Sequence, residues 1–221
     1  MIRQAIAVFR KDLASELRTR YAINALLMFV VVTLAVIMFA LAGETLTPAA
    51  LTGMLWVVMF FAAMSGLARS FVAEEERGTT MTLQLLASPT AVYLGKLVFN
   101  LVLVLALNVF IVALFLLAMD QFVVRQYGLF WVVMLLGSLG IASATTIIAA
   151  IIARANNKGT LFPVLSFPVL LPLLMAGIHA TKIAVEDTRW DAVWPDLQLL
   201  GSYIVVITTV SFLLFDFGWK D

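Results

Sequence analysis

GTTMTLQLLASPTAVYLG, residues 78–95, is a charge-free run of eighteen residues, and whether it crosses a membrane decides how everything after it is oriented. Nine of the eighteen are Thr, Gln, Ser, Pro or Gly, so the run reads as a segment outside the hydrocarbon core. The sequence around it is of another kind. Apolar charge-free stretches occupy 21–43, 45–68, 97–119, 126–153, 159–181 and 197–215. Each is close to the ~20 residues an α-helix needs to cross a ~30 Å bilayer core. The charges that separate them are expensive at mid-membrane, about 2.5 kcal/mol or more apiece. The expected fold is an all-α integral membrane protein of one domain, 1–221, with six transmembrane helices at about 21–43, 47–70, 95–119, 127–153, 160–181 and 197–217.

Charge distribution supports leaving 78–95 outside. With six spans and a cytoplasmic N-terminus, Arg3, Arg10, Lys11, Arg18, Arg20, Arg69, Arg77, Lys96, Arg154, Lys158 and Lys220 fall inside, and only Arg125, Lys182 and Arg189 fall outside. A seventh span would carry Arg154 and Lys158 outward and weaken this positive-inside bias. Both termini are therefore expected in the cytoplasm.

Composition excludes other classes. The chain is 63% hydrophobic and 12% charged, with a net charge of +1, far from the balance of a soluble domain. Nothing suggests nucleic acid as a partner, because no basic patch with interleaved aromatics appears. With no cysteine there is no disulfide, thiolate metal site or c-type haem attachment motif within the chain. The single histidine, His179, does not make a protein-built metal cluster. No P-loop is present, since Gly95-Lys96 is followed by Leu97 and lacks the glycine five residues earlier. No catalytic residue is assigned, as His179 lies near the outer end of span five with no mid-membrane carboxylate to pair with.

Outside the spans, Ile2, Ile6, Phe9, Leu13 and Leu17 recur at helical spacing opposite Arg3, Arg10, Lys11 and Arg18. That pattern predicts an N-terminal amphipathic helix over 1–20, lying at the interface with membrane lipids; a soluble helix packed on a partner is the alternative. The N-terminus lacks a signal-peptide core and is expected to stay on the mature protein. Loop 73–90 combines the charges Glu74, Glu75, Glu76 and Arg77 with Gly78, a turn residue. A short helix carrying Leu83, Leu85 and Leu86 should follow, capped by Thr79 or Thr80 and ended by Ser88 and Pro89. Charges beside exposed leucines suggest docking of a soluble partner rather than a merely solvated turn.

Span four carries Ser138, Ala142, Thr146 and Ala150 every four residues, a ridge that lets a neighbouring helix approach. Asn100 and Asn108 in span three are interhelical hydrogen-bond partners or pathway residues. Span five holds Pro163, Pro168 and Pro172, followed by Gly177, and is expected to be bent or broken. His179 would be an interfacial histidine, a haem-iron ligand, or a contact for a substrate carboxylate. The outer loop 182–196 carries Glu186, Asp187, Asp191 and Asp196 with Trp190 and Trp194, and the tryptophans read as an aromatic belt or as surfaces for a planar macrocycle, the acids as a face for an extracytoplasmic partner.

Four segments carry a family resemblance: Ser65-Gly66-Leu67-Ala68-Arg69-Ser70-Phe71, Glu74 to Gly78, Leu85-Leu86-Ala87-Ser88-Pro89 with Gly95-Lys96, and Phe167-Pro168-Val169-Leu170-Leu171-Pro172. With these the chain resembles the haem exporter protein B (CcmB) family, the ABC-2-like permease subunit of the cytochrome c maturation complex. The resemblance implies a transporter subunit and not an enzyme, with ATP hydrolysed by a separate ABC ATPase subunit. It implies haem as possible substrate, no covalent cofactor, and partners among haem-handling membrane subunits and a periplasmic haem chaperone. Loop 73–90 would be the coupling helix between spans two and three, and a homodimer in the bacterial inner membrane is expected. Alternatives are a permease for a lipid, drug or glycan, and an assembly scaffold that transports nothing.

Overall fold

A computed structural model describes residues 1–67, 71, 74–75, 78–153, 158–186 and 190–218. Of the residues singled out above, Ala68, Arg69, Ser70, Glu76, Arg77, Arg154, Asp187, Arg189 and Lys220 lie outside the described set. The described residues form helices joined by short turns and loops, without a strand. They form α1 (Ile2–Thr19), α2 (Tyr21–Ala40), α3 (Pro48–Leu67), α4 (Thr80–Leu86), α5 (Pro89–Ala118), α6 (Tyr127–Ile152), α7 (Lys158–Glu186), a 3-10 turn (Trp190–Ala192) and α8 (Trp194–Gly218). Six of these, α2, α3 and α5 to α8, are long and apolar enough to cross a membrane.

Residues 78–95 divide as their polarity requires. Gly78 has φ 63°, Thr79 N–H reaches the Glu74 carbonyl at 3.0 Å, and Gly78 N–H reaches that of Glu75 at 3.1 Å. This pair of bonds across a left-handed glycine is the Schellman stop, which lets the helical residues Glu74 and Glu75 end in a sharp reversal. α4 follows and stops at Ala87, which is extended. Ser88 then takes the extended conformation (ψ 148°) imposed by the proline after it, and Pro89 occupies the first turn of α5. The Ser-Pro pair thus ends one helix and starts the next, so the third spanning helix begins at 89 rather than near 95. Its 30 residues amount to about 45 Å, more than the hydrocarbon core requires, and its first turns project from one end of the bundle.

α6 is the most buried of the six spanning helices, and α2 and α8 are the least. Small residues explain this. Ser138, Ala142 and Thr146 are buried against α5, where the Asn108 amide donates to the Ser138 hydroxyl (2.9 Å) and the Asn100 amide to the Thr146 hydroxyl (2.8 Å). The ridge is therefore an internal contact, and both asparagines are interhelical donors.

α7 is one helix through all three prolines, so the broken alternative is overturned. Pro168 and Pro172 lie on its exposed side, and near them the Tyr203 hydroxyl of α8 donates to the Val169 carbonyl at 3.0 Å. That carbonyl lies in the turn before Pro172, where a proline leaves backbone acceptors poorly served. Gly177 serves close packing. A Cβ there would come 2.5 Å from the indole of Trp56, which is fully buried and donates to the Thr181 hydroxyl at 2.9 Å. α7 also runs farther than the hydropathy implied, to Glu186. Ile183, Ala184 and Val185 are buried, and the backbone N–H groups of Arg125 and Gln126 donate to the Ala184 carbonyl at 3.2 and 2.9 Å. Those two donors satisfy a helix-end carbonyl that would otherwise be orphaned.

Candidate functional site

α1 has three strips. Ile2, Ile6 and Leu17 are exposed, as are Arg3, Arg10 and Arg18, while Val8 is buried against α5. The contact is close because α5 presents Gly95. A Cβ there would lie 2.7 Å from both the Ala5 carbonyl oxygen and Val8 Cβ. Any larger residue at 95 would push the helices apart.

One turn of α1 beyond Val8, charges meet. Lys96 is fully buried, and its ammonium is 3.1 Å from Asp12 Oδ2 of α1, 3.5 Å from Glu74 Oε1, and 5.0 Å from the Phe71 ring centroid. Lys11 pairs with the same Glu74 oxygen and lies 3.2 Å from Asp12 Oδ1. The Thr79 hydroxyl donates to the other Glu74 oxygen at 2.6 Å. Two cations and two carboxylates from α1, the Glu74 segment and α5 thus share one knot, with Lys96 buried at its centre and Lys11 at its exposed rim. Burial alone would raise the Glu74 carboxyl, but the Lys96 charge and the hydrogen bonds from Lys11 and Thr79 bring it from 4.5 to about 2. For Lys11, burial works downward and is outweighed by Glu74 and Asp12, so its ammonium is held above the ordinary lysine value.

The same segment is tied at its far end. Gln4 Nε2 donates to the Leu86 carbonyl at 3.3 Å, and Ser88 Oγ lies 3.5 Å from Gln4 Oε1. α1 therefore clasps both ends of the 74–88 segment. Glu75 is exposed and accepts from the Thr80 hydroxyl at 2.9 Å. Leu83 is half-buried against the core, whereas Leu85 (83% exposed) and Leu86 (71%) point away from it, with Met81 exposed beside them. Beneath the segment lies a cavity of about 260 Å³, lined among the described residues by Phe71, Glu74, Ile147, Ile151, Leu214 and Phe215.

At the opposite end of the bundle, His179 Nδ1 of α7 is 2.6 Å from Asp196 Oδ2 in the first turn of α8. Trp190 is exposed in the 3-10 turn between those helices, and Trp194 is exposed at the first residue of α8. The prolines stand apart from both ends: Pro163 is half-buried and Pro168 and Pro172 are exposed along α7.

Sequence reading grouped Glu74, Glu75, Gly78, Leu83, Leu85, Leu86 and Pro89 on one segment, and the structure keeps them together there. It missed Asp12, Lys11 and Lys96 as that segment's anchors, and Asp196 as the partner of His179. The available signal was Gly95-Lys96 itself: a glycine and a cation side by side where an apolar span begins.

The family described as CcmB protein matches residues 3–217. No relative among curated proteins matches the chain.

Proposed function

The chain belongs to the CcmB family, the haem-exporter permease component of the cytochrome c maturation system, and on that premise we propose how it couples a partner's ATP hydrolysis to its own rearrangement. Family and helices together make it a multi-pass protein of the inner membrane and a transporter subunit rather than an enzyme. In the proposed reading the 74–89 segment faces the cytoplasm and seats in a separate ABC ATPase subunit through Met81, Leu85 and Leu86. The segment does not act alone. Its Glu74 is joined to α1 and α5 through Lys96, so a push on the exposed leucines moves three elements as one. The cavity beneath leaves room for that displacement. The exposed Ile2, Ile6 and Leu17 rest on membrane lipid, making α1 a strut between the membrane surface and the coupling segment.

The observation that carries this reading is the fully buried Lys96 bound to both Asp12 and Glu74. Its test is Glu74→Gln in the assembled complex, with ATPase turnover and holocytochrome c yield measured together. The expected result is an intact complex that hydrolyses ATP while holocytochrome yield falls about tenfold, the effect of losing ~1.4 kcal/mol of coupling. Full yield from Glu74→Gln would sink the reading.

A further inference from the structure

We propose that the His179–Asp196 pair is an axial-ligand site for the iron of a haem presented at the end of the bundle opposite the Lys96 knot. The inference deepens the haem-handling role of the family and is independent of the coupling segment, so the two stand or fall on different measurements.

The argument begins with the proton. A carboxylate only accepts, so the 2.6 Å contact with Asp196 puts the imidazole hydrogen on Nδ1. In the neutral ring this leaves the lone pair on Nε2, and among the described residues no hydrogen bond reaches that atom. Asp196 is well suited to hold this arrangement. It sits in the first turn of α8, where unpaired backbone N–H groups favour negative charge, and its side chain is only 15% exposed against 58% for the imidazole. The carboxylate is tucked in, and the ring is turned out.

An imidazole whose far nitrogen is tied to a carboxylate is the usual arrangement of a metal-bound histidine: the second partner fixes tautomer and ring orientation and makes the free nitrogen more basic. The ring is the exposed member of the pair, so Nε2 is open to a ligand from outside the chain. One histidine with no cluster of other metal-binding side chains among the described residues does not hold a bare cation. It suffices for an iron whose equatorial positions are already filled by a porphyrin. Trp190 in the 3-10 turn and Trp194 at the start of α8, both exposed and within six residues of Asp196 in the chain, add the apolar aromatic surface that a planar macrocycle covers.

The test is titration of ferric haem into the purified full chain in lipid nanodiscs, followed by the Soret band and by electron paramagnetic resonance. Because His179 is the chain's single histidine and there is no cysteine, a histidine-ligated signature has one source. His179→Ala and the size-matched His179→Gln should each abolish that signature and weaken ferric haem binding at least about tenfold. Asp196→Asn should weaken it about 10–100-fold, as for other partners of metal-bound histidines. Metal-free protoporphyrin IX should bind wild type and His179→Gln alike. The proposal is overturned if wild type gives no histidine-ligated spectrum, if His179→Gln retains it, or if metal-free porphyrin shows the same loss as haem. Unchanged helicity and melting of His179→Gln supply the folding control.

Discussion

At the scale of single residues, Lys96 governs the chain's cytoplasmic chemistry in the proposed orientation. An ammonium removed from water is tolerated only when it is paired and hydrogen-bonded, and Asp12, Glu74 and the Phe71 ring meet that need. The consequence for pH follows from Glu74, whose carboxyl is lowered from 4.5 to about 2. A carboxylate depressed by folding contributes stability that is whole above its ordinary value and is lost as pH falls through its folded value. The melting temperature in detergent should therefore drop between about pH 5 and pH 2, with Glu74→Gln less stable at neutral pH and less sensitive to acid. An acid profile of Glu74→Gln that overlays wild type would contradict the knot. Gly78 was legible from sequence because its cause is local: a turn that needs φ 63°. Lys96 was not, because its partners Asp12 and Glu74 are 84 and 22 residues away, and no local pattern announces them.

At the scale of elements, hydropathy located all six membrane-length helices because a lipid-facing helix must be apolar along its whole length. The helices α5 and α7 run beyond the apolar stretches they contain, starting at Pro89 and ending at Glu186. Both extensions have tertiary causes: α5 extends outward to seat α1 at Gly95, and α7 is prolonged by donors from Arg125 and Gln126. Gly177 also looked like part of a proline-weakened helix, whereas the Trp56 indole fills the space above it. Gly177→Ala should accordingly cost about 1–3 kcal/mol by overpacking, seen as a lower melting temperature. The smaller Trp56→Phe ring should restore part of that loss in a double-mutant cycle. Strict additivity of the two changes would mean that they do not touch.

At the scale of the whole molecule, the two ends of the bundle are chemically unlike: one has a buried ionic knot and exposed leucines, the other a histidine–carboxylate pair and exposed indoles. The proposed orientation puts the knot in the cytoplasm. As the chain has no cysteine, single substitutions report sidedness cleanly. Gln84→Cys should be shielded from a membrane-impermeant maleimide in intact spheroplasts, and Trp190→Cys should react; the reverse pattern would invert the topology. The knot also sets an order of events during biogenesis. α1 emerges from the ribosome before α5, and the lysine that fixes it is encoded 84 residues after Asp12, roughly 4–17 s of synthesis at bacterial and eukaryotic elongation rates. For that interval Asp12 has only Lys11 of its own helix as a cation, so α1 floats on the membrane surface and docks only once α5 has been inserted with its charged end on the correct side. A chain whose third span enters backwards leaves Asp12 without Lys96, so the seating of α1 reports that the third span has been threaded correctly.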